Sequence, residues 1–586
     1  MPGYLLARCL RQNLWAASAF VFTLPVLFHC VFWLGVCGVA IQLWTVVGLL
    51  AAASGVALWF VRKSPPPEAT KKEPWSKLER ILLWSCAVVG VILLVHTFRE
   101  PFAGPDTWFR WDYLARRIYE LRRFDFYPPI QPADFKTYFY VDAIPPMISF
   151  EHWWLYATAE GYGFRLICLL VTAEFACTLA FVYGAASALF TRRAGVIAAA
   201  LLASSAIYFN AVFFAQETGL TALAIAAMLY FITTAKPGRE SAATVSAGLA
   251  AALCALAREY GWVALVIGVI ALAWRRVANK QIAIFAAVAI AVAAPWYVRN
   301  WIVAGNPLYS LKLLGFAVNP VHAAIVQAYK DLVSNQFTTA PLWLRACGII
   351  LAGATLQVLA GIPGAFRNFR RNGYLLVAAA LLVGVWYTSI PYTSGGIEIS
   401  LRVLTPALAV LSITGAALLD QWLSAGRGQK VVPILVGACL FWGAIQSVFY
   451  PNNPLTLSPG QWLASAFPQL EPPAEFRVRD NFAQGFPRGY RLLSDNAFLH
   501  AALYDMGIEV VPVWSPEVSF LFSATPEEAD RRLAALHIIS VAWYPISWNA
   551  NYLRKASPFF GSLQRWKVLT GAGSMMILAP PSLIPQ

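Results

Sequence analysis

Residues 14–60 read LWAASAFVFTLPVLFHCVFWLGVCGVAIQLWTVVGLLAAASGVALWF and contain no aspartate, glutamate, lysine or arginine. One helix needs about 20 predominantly apolar residues to cross a bilayer. This stretch is about twice that long, so it predicts a helical hairpin of two membrane spans. The chain is therefore expected to be an integral membrane protein.

The rest of the sequence extends this prediction. The chain has 586 residues, of which 59% are hydrophobic and only 12% are charged, and this composition excludes an ordinary soluble protein. Apolar stretches of spanning length predict about 13 transmembrane helices. The predicted spans are 14–35, 38–61, 80–98, 165–190, 195–214, 217–235, 242–258, 261–274, 281–298, 342–364, 373–391, 402–423 and 431–450.

Lysine and arginine are concentrated in every second loop between these spans, which predicts the orientation of the chain. The basic positions are Arg8, Arg11, Arg62, Lys63, Lys71, Lys72, Lys77, Arg80, Arg192, Arg193, Lys236, Arg239, Arg275, Arg276, Lys280, Arg367, Arg370, Arg371, Arg427 and Lys430. These loops are expected to be cytoplasmic, together with the N-terminus. The loops 99–163, 300–341 and 391–400, and everything after residue 450, are then expected to face outward.

Composition predicts two domains, mainly α-helical overall. Residues 1–450 form a transmembrane domain that contains a cytoplasmic linker at 64–74 and a polar, aromatic loop at 99–163. Residues 451–586 read as a small extracytoplasmic α/β domain, with strands at RLLSD, IEVVPVW and IISVAWY. Within it, Thr525-Pro526-Glu527-Glu528 places threonine, proline and glutamate where a helix begins.

The loop 99–163 carries the first candidate for chemistry. Asp106 precedes a segment that fits a helix lying along the membrane surface, with Trp108 and Trp111 at the interface. A carboxylate held there suits a general base towards a hydroxyl, although Asp106 equally suits a helix cap. Asp112 lies on another face of that helix and is the alternative base. Asp142 is a second loop acid suited to supporting an acceptor or a metal.

Three arginines lie at the outward ends of predicted helices. They are Arg258 in AREYGW, Arg299 in PWYVRNWIVAGNPLY and Arg402 in SLRVLTPAL. An arginine at that depth can bind the phosphate of a lipid whose tail remains in the membrane, or can extend towards headgroups without a further role. In the second motif, Pro295 is expected to kink or end its span, and Asn306-Pro307 is a turn signal.

Glu174, near the middle of the fourth span, is an intramembrane acid for which a functional and a structural role are equally open. No Walker loop, HExxH or GxSxG motif indicates another chemistry. The net charge of +15 reflects the orientation bias, and no soluble stripe of basic and aromatic residues suggests a nucleic-acid partner.

Taken together, these motifs resemble the GT-C superfamily of polytopic glycosyltransferases, especially bacterial members related to protein mannosyltransferases and aminoarabinose transferases. The stretches that carry the resemblance are GPDTWFRWDYLARRI at 104–118, the three arginine motifs, and the C-terminal stretches at 492–514 and 525–544. The resemblance covers most of the chain, and PWYVRNWIVAGNPLY is its most specific motif.

The resemblance implies an inverting transfer of a sugar from a polyprenyl-phosphate donor to a glycan, lipid or protein acceptor at the outer face of a bacterial inner membrane. Asp106 would be the base, and Arg258, Arg299 and Arg402 would bind the donor phosphate. Asp142, Tyr260, Asn306 and Tyr309 would support the site or the acceptor.

Two departures from the family pattern matter. Two extra spans precede the helix that leads to Asp106, and the loop lacks the adjacent acidic pair of several relatives. No metal ligand set is predicted, and dependence on a divalent cation stays open. A transporter or flippase for a lipid-linked sugar is the alternative, favoured by Glu174 but disfavoured by the absence of internal repeats. A non-catalytic assembly scaffold is the third.

Overall fold

The computed structural model describes residues 1–61, 74–235, 240–309, 311–312, 314–336, 339–392, 396–426, 428–452, 454–572 and 575–580. The predicted linker at 64–74 falls outside these residues up to position 73, as do Arg62, Lys63, Lys71, Lys72, Lys236, Arg239 and Arg427.

Helices dominate the described residues, and nine of them are long and apolar enough to cross a membrane. They are Trp15–Val36, Leu43–Val61, Lys77–Arg99, Phe164–Leu189, Glu240–Ala257, Asn279–Ala304, Phe369–Tyr392, Ile397–Ser424 and Val431–Phe449. Each coincides with one predicted span, so the polytopic helical architecture is confirmed.

The other four predicted spans are helical but shorter or broken. Arg192–Ala203 with Ala206–Phe213 bends by 66°, and Ala340–Gly353 with Thr355–Arg367 bends by 100°. At the first break, the Ser205 side chain accepts a hydrogen bond from the Tyr208 N–H and so caps a new helix. Two shorter apolar helices, Glu217–Thr233 and Glu259–Trp274, complete the set.

Pro295 neither ends nor interrupts its span, contrary to one of the two predicted outcomes. The helix Asn279–Ala304 runs through Pro295, and this carries Arg299 and Asn300 on continuous helix. The motif PWYVRNWIVAGNPLY thus begins inside a helix and leaves it only at Gly305, whose φ is +70°.

The chain forms two compact units, each assembled from separate segments. The first unit contains Met1–Gly104, Ile144–Trp296 and Thr339–Leu470, and the second contains Pro105–Ala143, Tyr297–Thr338 and Glu471–Gln586. Besides the spans, the first unit holds the helices Pro2–Cys9, Met147–Ala159 and Pro459–Ser465. The domain boundary predicted at 450/451 stays a prediction.

The second unit is built on a five-stranded sheet in the order β2-β1-β3-β5-β4. Its strands are β1 (Arg491–Ser494), β2 (Glu509–Pro512), β3 (Ile538–Trp543), β4 (Lys567–Ala572) and β5 (Met575–Ala579). β1 pairs with β2 and β3 in parallel, whereas β5 pairs with β3 and β4 antiparallel. Its helices are Thr107–Trp111, Asp112–Leu121, Pro132–Phe135, Pro320–Gln336, Ala474–Gly485, Ala497–Leu503, Pro526–Ala535, Trp548–Ala556 and Pro558–Gly561.

The core of the second unit joins all three of its segments. Val510, Val541 and Trp514 of the C-terminal segment share one buried cluster with Phe139 of the loop and Ile325 of the middle segment. Trp514 Nε1 donates to the Phe139 carbonyl over 2.9 Å. The sheet therefore packs directly against the segment 105–143, where the candidate base lies.

Candidate active site

The segment that follows Asp106 begins as a π-helical turn. Thr107–Trp111 is π-helical and continues as the α-helix Asp112–Leu121. Asp106 stands at the N-cap position but makes no capping hydrogen bond with its side chain, so the capping role considered from sequence is wrong. Trp111 is buried, not placed at an interface as predicted. Single-turn π-bulges occur frequently at functional sites.

Arg110 connects the two acids predicted from the loop. Its Nε donates to Asp142 Oδ2 over 2.6 Å, and its Nη1 donates to Asp106 Oδ2 over 3.4 Å. The side chain of Asp106 is 21% exposed, whereas that of Asp142 is 3% exposed. The guanidinium also lies over the Tyr140 ring, 4.9 Å from its centroid. Asp106 is thus the accessible end of a buried ionic cluster.

The neighbouring carboxylates keep the guanidinium of Arg110 ionised at the centre of this cluster. Burial alone lowers the pKa of Arg110, but Asp142 and then Asp106 raise it well above the ordinary arginine value. The hydroxyl of Tyr127 donates to Asp142 Oδ1 over 2.8 Å, and Tyr138 donates to the same oxygen over 3.2 Å. Burial and then Asp142 raise the pKa of both tyrosines well above the usual value, so both remain donors.

Asp112, the alternative base, lies in a different environment. It is fully buried and pairs with Arg116 over 2.6 Å on its own helix. A carboxylate closed off in this way cannot meet an incoming hydroxyl unless the helix moves. The geometry therefore favours Asp106 over Asp112.

Arg299 is linked to the acidic cluster within the second unit. Its Nη1 donates to the Tyr127 carbonyl over 2.9 Å, and its guanidinium lies 4.9 Å from the centroid of the Phe124 ring. Tyr127 also donates to Asp142. Tyr127 therefore connects Arg299, the predicted phosphate ligand, to Asp142, the acid predicted to support the site.

Asn306 and Tyr309 hold the chain that follows Arg299. Asn306 Nδ2 donates to the carbonyls of Leu311 and Ala317, and its Oδ1 accepts from the Leu308 N–H. The Tyr309 hydroxyl donates to the Pro129 carbonyl. These contacts give both residues a structural task, in contrast to the acceptor-binding role predicted for them, which stays untested.

The other two arginines lie in the first unit, and both contact residues at the start of the helix Glu217–Thr233. Arg258 Nη1 donates to Glu217 Oε1 over 3.2 Å, and Arg258 Nε lies 3.3 Å from Glu259. Arg402 donates to the side-chain oxygen of Gln216, the residue next to Glu217. The structure therefore brings Arg258 and Arg402 to two neighbouring residues, and Tyr260 lies in the short turn that follows Arg258.

Sequence reasoning missed Gln216, Arg110, Tyr127 and Tyr138 as members of these clusters. A signal existed for Arg110, because residues four apart on a helix lie on one face and an Asp–Arg pair at that spacing is favourable. Gln216 and Glu217 are only 1% and 3% exposed. In the described part of the chain, no group of three or more His, Cys, Asp or Glu residues is arranged to hold a metal ion.

Comparison with known proteins supports the sequence resemblance. Residues 144–298 match the family model of dolichyl-phosphate-mannose-protein mannosyltransferase. No curated protein matches the chain.

Solved structures with a similar fold include two kinds of protein. ArnT from Cupriavidus metallidurans in the apo state is 13% identical, with a TM-score of 0.55 over 86% of this chain and 98% of that one. ArnT bound to undecaprenyl phosphate gives a TM-score of 0.52 at 13% identity over 87% and 100% of the chains. The archaeal oligosaccharyltransferase AglB from Archaeoglobus fulgidus, in complex with an inhibitory peptide and a dolichol-phosphate, is 12% identical, with a TM-score of 0.54 over 87% and 75%.

Proposed function

We propose that this chain, a polytopic membrane protein of the GT-C superfamily, is an inverting glycosyltransferase that moves a sugar from a polyprenyl-phosphate donor to an acceptor. Membership rests on the shared fold and on the match to a mannosyltransferase family model. Two of the similar structures were solved with undecaprenyl phosphate or dolichol-phosphate, which supports a polyprenyl phosphate as the carrier of the sugar here.

The observation that carries the proposal is the accessible carboxylate of Asp106, held by Arg110 over 3.4 Å without serving as a helix cap. A base must lie within hydrogen-bond reach of the proton that it removes. Asp106 would accept the proton of the acceptor hydroxyl while the oxygen attacks the anomeric carbon of the donor. Attack from the face opposite the leaving phosphate inverts the configuration at that carbon.

Arg110 orients this base. The shorter of its two contacts, 2.6 Å, goes to Asp142, whereas the contact to Asp106 is 3.4 Å. Asp142 therefore fixes the guanidinium, and the guanidinium holds the carboxylate of Asp106 in place.

The leaving group is a polyprenyl phosphate, whose developing charge needs fixed cations. We propose Arg258, Arg299 and Arg402 for this task. Arg299 is anchored through the Tyr127 carbonyl, and Arg402 through Gln216. Arg258 is held by Glu217 and Glu259, so it would have to give up part of these contacts to bind a phosphate.

Orientation follows from the basic loops. The alternation of lysine and arginine supports a cytoplasmic N-terminus and an extracytoplasmic C-terminus. We therefore propose that transfer takes place at the outer face of a bacterial inner membrane. A glycan, a lipid or a protein is the acceptor, and Asp142, Tyr260, Asn306 and Tyr309 shape the surroundings of the site.

The test is sugar transfer by the purified protein in detergent, where no closed compartment exists and transport cannot register. A panel of undecaprenyl-phosphate monosaccharides, labelled on the sugar, is incubated with the protein and a detergent extract of bacterial membranes as the acceptor pool. We expect the label to move from one donor to a new product, with release of an equal amount of undecaprenyl phosphate.

Consumption of no donor by a protein that remains folded would contradict the proposal. The alternative, a flippase, predicts that outcome, together with movement of the lipid-linked sugar across the bilayer of proteoliposomes.

A further inference from the structure

The first unit contains a largely apolar cavity with one glutamate in its wall. Its volume is about 300 Å³, and its walls come from the start of the helix Pro2–Cys9 and from the helices Trp15–Val36, Leu43–Val61, Met147–Ala159 and Phe164–Leu189. Leu27, Leu50, Trp154 and Leu170 supply apolar surface, and Glu151 supplies the carboxyl group. The cavity therefore combines an apolar volume that fits a hydrocarbon chain with one carboxyl group, that of Glu151.

Glu151 is incompletely satisfied in its surroundings. It is 2% exposed, and neither of its carboxyl oxygens has a hydrogen-bond partner among the described residues. A buried polar group without a partner costs roughly 1–3 kcal/mol. A ligand that supplies a hydrogen-bond donor would remove this cost.

A second buried acid lies near Glu151. Glu174 is 3% exposed, and within the described residues neither Glu151 nor Glu174 forms an ion pair with a lysine, arginine or histidine. Burial, and then the proximity of Glu174, raise the pKa of Glu151 well above the ordinary value. In the absence of a ligand, Glu151 therefore holds its proton.

We propose that this cavity binds an amphiphile with a primary amine on a hydrocarbon body, and that the amine meets the carboxyl group of Glu151. An amine that enters from an apolar medium arrives neutral, so no net charge is carried into the cavity. The proton of Glu151 passes to the amine nitrogen, which leaves an ammonium and a carboxylate in contact. The ammonium then donates to the oxygens that lacked partners.

Proton transfer selects for an amine over an alcohol of the same length. A hydroxyl is too weak a base to take the proton of Glu151, so it would form only neutral hydrogen bonds with the carboxyl group. An ammonium donates to the carboxylate oxygens, and hydrogen bonds between charged groups are about twice as strong as neutral ones.

The experiment uses the full chain in phosphatidylcholine nanodiscs that contain octadecylamine, octadecanol or octadecyltrimethylammonium. The readout is the midpoint of thermal unfolding, because a ligand that binds only the native state raises it. We expect octadecylamine to raise the midpoint by several degrees in a concentration-dependent way. Octadecanol and the quaternary amine, which matches the charge but has no N–H, should have little effect.

Two variants locate the effect. Glu151→Gln should abolish the shift, whereas Glu160→Gln, which removes an exposed glutamate at the end of the same helix, should keep it. An equal response to octadecanol, an equal response to the quaternary amine, or a full response in Glu151→Gln would each overturn the proposal.

A measurement on the wild-type chain covers the case in which Glu151→Gln fails to fold. A photoactivatable octadecylamine is crosslinked in the nanodisc, and the labelled peptides are identified by mass spectrometry. Labels on residues 15–36 and 147–159 are expected. Labels spread evenly over the exposed membrane helices would show that the cavity does not retain the amine.

Discussion

Asp142 is the residue on which the polar cluster of the second unit depends. It accepts hydrogen bonds from Arg110, Tyr127 and Tyr138. The sequence pointed to Asp142 and Asp106 as isolated loop acids, and it could not show that Arg110 joins them. Asp142 lies 32 residues from Arg110, so only the folded chain brings the two together.

Asp142→Asn should destabilise the second unit, because a buried guanidinium then loses its main counter-charge. Removing one partner of a buried ion pair costs on the order of 3 kcal/mol. Asp480→Asn removes the carboxylate of an exposed pair with Arg479, in which the aspartate side chain is 78% exposed, and should cost less than about 0.5 kcal/mol. Thermal unfolding in detergent compares the two variants, and equal midpoints would contradict this account of the cluster.

At the scale of elements, the C-terminal segment was the most predictable part. The three predicted strands are β1, β2 and β3, and the Thr525 hydroxyl accepts from the Glu528 N–H over 3.3 Å as its motif indicated. The antiparallel hairpin of β4 and β5 was missed. Val568 and Leu569 are adjacent apolar residues and both are exposed, so no alternation marks the strand.

The π-helical turn at 107–111, by contrast, could not be predicted from the sequence. The sequence fits a continuous helix from Asp106 to Leu121 equally well, since local preferences distinguish poorly between α-helical and π-helical turns. Burial of Trp111 and the contacts of Arg110 with Asp142 are tertiary features. The local geometry of the candidate base was therefore outside the reach of sequence patterns.

His322, in the helix Pro320–Gln336, should make the free energy of unfolding of the second unit decrease at low pH. His322 packs edge-to-face against Tyr140 and Trp514, and burial, followed by Arg110, lowers its pKa to about 4. The unfolded chain binds a proton below about pH 6.5, where the native state resists it. Stability from this residue is therefore complete above that pH and is lost between about pH 6.5 and 4.

His322→Phe keeps an aromatic ring but removes the titration. When the pH is lowered from 7 to 4.5, the unfolding midpoint of this variant should fall less than that of the wild type. The corresponding difference in the free energy of unfolding is up to about 3 kcal/mol. The two midpoints are followed side by side across the pH range, and parallel curves would rule out His322 as a source of the acid sensitivity.

For the whole molecule, hydrophobic patterning was sufficient to find the helices. All thirteen predicted spans are helical in the structure, and nine of them are single helices long and apolar enough to cross a membrane. A helix satisfies its own backbone hydrogen bonds, as a segment in the bilayer requires. The two breaks and the passage of a helix through Pro295 were not determined by composition. The assembly of the second unit from three distant segments was likewise not visible in sequence.

The central claim is that Asp106 is the base of a glycosyl transfer. The most direct test measures sugar transfer from the undecaprenyl-phosphate donor in detergent by the wild type, Asp106→Asn, Asp112→Asn and the exposed control Asp480→Asn. General-base catalysis contributes about 100-fold or more, so we predict at least that loss for Asp106→Asn, with unfolding midpoint and donor binding unchanged. Asp480→Asn should retain full activity. Full transfer by a folded Asp106→Asn protein, with loss in Asp112→Asn instead, would contradict the account.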